Sequence, residues 1–240
     1  MNIRRIYRFP IEPSIVGFIF LAALFGVFTS GYPNLYGVFI TLAVSLHLIF
    51  TIDSIYNRDN ILDVSAIYAL ASNSAIFLFL SLQEYEVLFS LIPSALLTIL
   101  TLLSKSILGR NDIITTLVGS LALTSLVLPA SAISGGLTIK SFNIWIIYSL
   151  YIVTSVLYVE SKIRKINIWI PTISTSILIP IYYILNSYYV ILLADPLAKS
   201  INHLILKDYI DPKNIMILGR NEMFRLLIFS FGALAITLIL

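Results

Sequence analysis

The sequence contains no cysteine and few charged residues. Without cysteine, a disulfide, an iron–sulfur cluster and a thiolate metal site are all excluded. Charged residues make up 11% of the 240 positions, whereas soluble domains carry about 25%. Because so few charges cannot cover a core of this size, lipid must cover much of the surface. The 59% share of hydrophobic residues and the mean hydropathy of +0.98 support the same conclusion.

The sequence also lacks the short motifs that accompany several common activities. No P-loop, G-x-S-x-G, H-E-x-x-H or G-x-G-x-x-G run occurs, so nucleotide hydrolysis and serine or zinc peptidase chemistry have no support. The net charge is only +3, and basic residues between apolar segments predict lipid headgroup contacts and no nucleic-acid partner. The basic start is not followed by an A-x-A-like cleavage site, and we therefore expect a retained first helix.

Nine apolar segments predict membrane-spanning helices, each of which needs about 20 apolar residues. Their expected bounds, within a few residues, are Ser14–Thr29, Leu35–Ile52, Val64–Leu82, Val87–Leu103, Ile113–Ile133, Phe142–Val159, Ile168–Leu185, Tyr188–Leu206 and Met223–Leu240. The predicted fold is an all-α, polytopic bundle of about nine transmembrane helices. We expect a single integral membrane domain over residues 1–240, in a multi-pass protein of the cell membrane.

Basic residues are distributed unevenly between the predicted loops. Fourteen of the fifteen Lys and Arg residues fall before the first segment or in or around every second gap after it, and Lys140 alone lies on the other side. Because positively charged loops stay in the cytoplasm, the N-terminus is expected to be cytoplasmic and the C-terminus outside. The same rule favours the eighth segment as a span although it contains Asp195 and Lys199, and we expect that span to be tilted or broken at Pro196.

Carboxylates crowd the predicted cytoplasmic loop after the second segment. Asp53, Asp59 and Asp63 lie within eleven residues, with Asn57 between them. Oxygen ligands grouped in this way are typical of a Mg²⁺ site that bridges phosphates. The alternative is a solvated loop in which Asp63 caps the third helix and Arg58 pairs with Asp59.

Polar residues inside the predicted spans are further candidates, because each requires a partner in the membrane. His47 and His203 are expected at a similar depth on different helices, where two imidazoles suit the axial positions of a b-type haem. The alternative is a hydrogen bond from each ring to a neighbour. Asp195, next to Pro196, is typical of a proton or cation pathway. The alternative is that Asp195 lies close to the membrane interface, or is protonated and bonded to Ser or Tyr. Asn73 is expected to join two helices by a hydrogen bond.

Several stretches together resemble the YwiC-like family of small polytopic membrane proteins. They are the small-residue helix Val118–Thr124 with the later Gly135-Gly136 pair, the S-x-L-Y-V-x-x-x-x-R-like helix end Ser155–Lys165, and the loop Ile217–Glu222. The family's usual opening run is reduced to Phe9–Pro13 and lacks its histidine. This resemblance implies a polytopic membrane fold and no settled activity.

The layout is also similar to that of UbiA-type prenyltransferases, which hold Mg²⁺ and a prenyl diphosphate between two Asp-rich motifs. Asp53 matches the first motif, but Asn57 stands where an Asp is expected, and only Glu160 is acidic in the second. The resemblance implies a metal or anion loop that combines Asp53, Asn57, Asp59, Asp63 and Glu160. If one of the two carboxylate motifs is incomplete, Mg²⁺ would be held less well and the diphosphate would leave more slowly.

Three functions follow from these patterns. The one favoured by the sequence is a non-catalytic membrane subunit of a larger complex, such as a respiratory one, with membrane-protein partners, since the chain has no complete catalytic set. The alternatives are a UbiA-like transferase or lipid-binding relative, and a small proton-coupled carrier that uses Asp195. The frequent Ile, Tyr and Asn are typical of an archaeal thermophile.

Overall fold

In the computed structural model, which describes residues 13–56, 63–164, 166–211 and 214–239, every regular element is a helix. The elements are α1 (Pro13–Thr29), α2 (Leu35–Tyr56), α3 (Val64–Gln83), α4 (Tyr85–Leu108), α5 (Ile113–Thr124), α6 (Val127–Gly135), α7 (Ile139–Arg164), α8 (Trp169–Leu185), a 3₁₀ helix (Ser187–Leu193), α9 (Ala194–Leu206) and α10 (Ile215–Ile239). The all-α prediction is confirmed for the described residues.

The helical segments follow the predicted order of nine spans, with α5 and α6 forming one and the 3₁₀ helix and α9 forming another. Seven of them, within the described ranges, are long and apolar enough to cross a membrane. The other two, Ser14–Thr29 and Trp169–Leu185, are shorter and also apolar. These features indicate a multi-pass membrane protein, while the sidedness of the termini and the membrane it occupies stay predictions.

Three helices extend more than four residues beyond the bounds predicted from hydropathy. The last one, α10, begins at Ile215 instead of Met223 and so includes Arg220 and Glu222. The helices α4 and α7 continue to Leu108 and Arg164. Backbone hydrogen bonding continues through polar residues as well as apolar ones, so a fall in hydropathy does not mark the end of a helix.

The fifth predicted span is divided into α5 and α6 by a tight turn at Ser125 and Leu126. Pro129 has no amide hydrogen to donate to the carbonyl of Ser125, which instead accepts from the Leu128 amide at 3.2 Å. The Ser125 hydroxyl donates to the Ser94 hydroxyl of α4 at 2.8 Å. The helix is therefore tightened at this point rather than continuous.

The chain divides into two compact units, Met1–Trp145 and Ile146–Leu240. In the first unit, α1 packs against α2, α5 and α6, and α4 packs against α3, α5 and α6. Apolar side chains of α1, α2, α3 and α5 form the main core there, including Ile19, Leu48, Ile52, Ala69 and Leu123. The single membrane domain expected from the sequence stays a prediction.

In the second unit, α8 packs against the 3₁₀ helix and α9, and the 3₁₀ helix also contacts α10. Two buried tyrosines hold these elements together. The Tyr182 hydroxyl of α8 donates to the carbonyl of Ile147 in α7 at 2.7 Å. The Tyr189 hydroxyl of the 3₁₀ helix lies 2.7 Å from the hydroxyl of Thr237 in α10. Each hydroxyl thus gains a partner that lipid could not supply.

The eighth predicted span is interrupted close to the expected place, but Pro196 lies inside the first turn of α9. The span changes from 3₁₀ to α geometry between Leu193 and Ala194. Pro196 has no amide hydrogen to donate to the carbonyl of Leu192, four residues earlier. The change of geometry therefore lies in the turn where the proline removes an α-helical hydrogen bond.

Candidate functional site

Helix α9 places three ionisable side chains on one face. Asp195, Lys199 and His203 follow one another at intervals of four residues, which in an α-helix stacks side chains above one another. Lys199 and His203 are buried, whereas the Asp195 side chain is about half exposed. An ionisable face of this kind on an apolar span requires partners from other helices.

Helix α10 supplies those partners through Glu222 and Arg225. The Lys199 ammonium forms an ion pair with the Glu222 carboxylate, and the two side chains are only 2% and 11% exposed. Arg225 Nη1 donates to Asp195 Oδ1 at 2.6 Å, and Arg225 Nε lies 3.8 Å from Glu222 Oε1. The four residues form a continuous row of alternating charges between α9 and α10.

Helix α7 surrounds the Lys199 ammonium with aromatic rings. Lys199 Nζ lies 4.7 Å from the ring centroid of Tyr158 and 5.8 Å from that of Tyr151. Tyr151 in turn stacks on Phe229 of α10, with ring centroids 3.8 Å apart. Ring faces attract a cation within about 6 Å, so these tyrosines stabilise the charged form of a lysine that has little access to water.

A second group of charges lies at the other end of α9. His203 Nδ1 is 2.8 Å from Asp208 Oδ1, and Lys162 Nζ donates to Asp208 Oδ2 at 2.6 Å. The Lys162 ammonium lies 5.0 Å from the Tyr158 ring centroid, so Tyr158 contacts both lysines. We call the seven residues of the two groups the charged cluster: Asp195, Lys199, Glu222, Arg225, Lys162, His203 and Asp208.

Asp208 lies in the loop between α9 and α10, where its side chain is 47% exposed. Partial burial alone would raise the pKa of this carboxyl group. The hydrogen bonds from Lys162 and His203, together with the positive charge of Lys162, outweigh burial and lower the pKa of Asp208 below its ordinary value. Asp208 is therefore held as a carboxylate by the two groups that it joins.

We expect an Asp208→Asn variant to lose a pH-dependent part of the protein's stability. Since the pKa of Asp208 is lower in the folded state, its stabilising effect is fully present above the unfolded value of about 4 and disappears as the pH falls through the folded value. For a half-exposed group the loss at neutral pH should be about 1 kcal/mol. Thermal unfolding in detergent from pH 3 to 7 measures it.

The control for that experiment is Asp112→Asn. Asp112 caps α5 by accepting from the Ile114 amide at 2.8 Å, and asparagine caps a helix equally well. The melting temperature of the Asp112→Asn variant should equal that of the wild type at every pH measured. A constant difference between Asp208→Asn and the wild type at every pH would contradict the paired carboxylate described above.

The predicted carboxylate site is only partly described by the structure. Asp53 is buried near the end of α2, and Asp63 caps α3 by accepting from the Ser65 amide at 2.8 Å, as the alternative interpretation predicts. Asn57 and Asp59 lie outside the described residues. Glu160 is in the second unit, where its carboxylate is 2.6 Å from Arg164 Nε.

Metal and haem binding stay predictions. Within the described ranges, no group of three or more His, Asp or Glu side chains is arranged to hold a metal ion. His47 lies in the first unit, where its Nε2 is 3.3 Å from the Ser72 hydroxyl, and His203 lies in the second. Asn73 donates to the Thr51 hydroxyl at 3.1 Å, which confirms the predicted hydrogen bond between two helices.

Sequence reasoning identified Asp195 and His203 but missed the rest of the charged cluster. The charge asymmetry groups Lys162, Lys199 and Arg225 with the cytoplasmic bases, although Lys199 lies inside the eighth predicted segment and Arg225 inside the ninth. Glu222 falls in the predicted loop before the ninth segment. The four-residue spacing from Asp195 to His203 was the available signal. The three-residue spacing of Glu222 and Arg225 becomes informative only once α10 is known to begin at Ile215.

Comparison of the chain with protein-family models, with curated proteins and with solved structures found no match. The resemblances to the YwiC-like family and to the UbiA-type prenyltransferases therefore stay predictions. The fold and the charged cluster define a class only at the level of a multi-pass helical membrane protein with paired charges within its apolar helices.

Proposed function

We propose that this protein is a proton-coupled membrane carrier and that the charged cluster is its proton-handling site. The observation that supports the proposal is the buried Lys199–Glu222 pair within apolar helices. Replacing a buried ion pair by apolar side chains is often neutral or stabilising. Charges at such a position are therefore better explained by a function than by stability. In membrane proteins, the usual function of such charges is to form a pathway for protons or ions.

The arrangement of the charged cluster supports the same function. Asp195 and Asp208 are each about half exposed, while Lys199 and His203 between them are buried. Along α9, Asp195 and His203 are separated by about 12 Å. Ionisable side chains that follow one another in this way along an apolar span are typical of a proton pathway.

The interrupted span supports a carrier in particular. The 3₁₀ helix Ser187–Leu193 changes into α9 one residue before Asp195. Discontinuous helices of this kind surround the substrate and ion sites of many secondary transporters, because the change of geometry frees backbone groups for binding. The charged cluster begins at that change of geometry.

We expect Asp195→Asn and Glu222→Gln to reduce proton flux to the level of protein-free liposomes. Purified protein is reconstituted with entrapped pyranine, and internal pH is recorded while amino acids, sugars, monocarboxylates and organic cations are added in turn. Asp112→Asn, on the cap of α5, should leave the flux unchanged. Wild-type flux that never exceeds the protein-free level with any of these solutes, or that is indifferent to both variants, would refute the proposal.

The favoured prediction from the sequence, a non-catalytic subunit of a larger complex, is the second candidate. Many large apolar side chains of α3 and α4 are exposed, including Leu82, Phe89 and Ile107, and these surfaces suit either lipid or a neighbouring membrane protein. Native purification in mild detergent distinguishes a surface covered by lipid from one covered by a partner protein. Stoichiometric co-purifying chains favour the subunit, and a single chain in a monodisperse peak argues against it.

A further inference from the structure

The two nitrogens of the His203 ring have different surroundings. Nδ1 contacts Asp208 Oδ1 at 2.8 Å, whereas Nε2 is buried and has no hydrogen-bond partner among the described residues. The side chain itself is 0% exposed. Buried polar atoms are nearly always paired, so an unpaired ring nitrogen at this position indicates a place where something binds.

The groups around His203 explain which form of the ring is present. Asp208 and Tyr209 approach from the following loop, Tyr158 and Lys162 from α7, and Lys199 from the preceding turn of α9. Helix α8 contains no charged residue. A carboxylate can only accept hydrogen bonds, so Asp208 requires the proton of a neutral His203 to be on Nδ1. The lone pair is then on Nε2.

The charges of the cluster balance only while His203 is neutral. Lys199 is paired with Glu222, Arg225 with Asp195, and Lys162 with Asp208. Each of those carboxylates and ammonium groups already has an opposite charge in contact. The Nε2 atom of His203 is a buried position in the cluster where an added proton meets an acceptor that has no hydrogen-bond partner among the described residues.

We infer that His203 Nε2 binds the coupled proton and that Asp208 holds the ring in the tautomer that makes this possible. A hydronium ion transfers its proton, so that the Nε2–H bond forms, one O–H bond breaks and a water molecule leaves. The resulting imidazolium stays paired with Asp208 through Nδ1–H. The inference rests on the proposed function, since it names the residue that binds the coupled ion, but the protonation itself is observable without transport.

The test uses the fact that the chain contains only two histidines. Protein labelled with ¹⁵N-histidine in lipid nanodiscs gives two imidazole spectra, and a His47→Gln variant assigns them. At high pH we expect His203 to have hydrogen on Nδ1 and none on Nε2, and Nε2 to gain hydrogen as the pH is lowered. Asp208→Ala should abolish the preference for Nδ1–H, while the His47 resonances of the same sample stay unchanged.

The flux assay supplies the second readout. His203→Gln should keep the elution volume and helicity of the wild type and lose proton flux, whereas His47→Gln should keep both. A neutral His203 with hydrogen on Nε2, or an Nε2 that stays unprotonated until the protein unfolds, would overturn the inference even if wild-type flux is normal. Protonation as expected, with wild-type flux at the protein-free level, would refute the carrier function and the coupling role with it.

Discussion

Replacing Lys199 by methionine is expected to lower the free energy of unfolding by about 3–5 kcal/mol, because it leaves a buried Glu222 carboxylate without its main partner. Methionine has a similar length, so the loss of packing against the Tyr158 and Tyr151 rings is small. Reversible unfolding in mixed detergent micelles measures the difference. The effect should be among the largest of any single substitution in the second unit.

A double variant, Lys199→Met with Glu222→Leu, shows whether the loss of stability comes from the unpaired charge or from the change in side-chain packing. It should recover most of the lost stability, since replacing both members of a buried ion pair by apolar groups is often neutral or better. Lys207→Met is the matched control, because Lys207 is exposed at the end of α9. A single variant as stable as this control would mean that Lys199 and Glu222 are not buried together.

Gly26→Ala is expected to cost about 3 kcal/mol or more in the first unit, through overpacking that no rotamer can relieve. A methyl group at this position would lie 2.7 Å from the Ser131 amide nitrogen and 2.7 Å from the Val127 carbonyl oxygen. Both are backbone atoms of the facing α6, so only a displacement of the whole helix could make room. The same micelle unfolding assay measures the effect.

Gly219→Ala is expected to have the opposite effect, a gain in stability. A methyl group there would meet no atom within 4 Å, and Gly219 lies inside α10. Alanine should therefore stabilise the helix by about 0.5–1 kcal/mol by reducing the conformational freedom of the unfolded chain. Equal stabilities for Gly26→Ala and Gly219→Ala would contradict the close approach of α1 and α6.

The order of the helical segments could be predicted from the sequence because a membrane imposes a simple requirement. Each span needs a long apolar run, and hydropathy detects such runs directly. The bounds of α10 could not be found in this way, since Arg220, Glu222 and Arg225 interrupt the apolar pattern without ending the helix. The turn between α5 and α6 was missed because Pro129 changes hydrogen bonding and not hydropathy.

The charged cluster was predictable only in part, for a different reason. Asp195 and His203 are recognisable because ionisable residues inside an apolar run need an explanation. Their partners depend on which helices meet, and nothing in the spacing of Arg225 or Asp208 indicates contact with α9. A lysine such as Lys199 is also ambiguous, since the same residue type marks cytoplasmic loops.

The 3₁₀ helix before α9 changes how far the eighth span reaches. Thirteen residues of α9 extend about 20 Å, which is less than the hydrocarbon thickness of about 30 Å. The seven residues Ser187–Leu193 add about 14 Å, because a 3₁₀ helix rises about 2.0 Å per residue. Together they extend about 34 Å, so this span is long enough to connect one headgroup layer to the other.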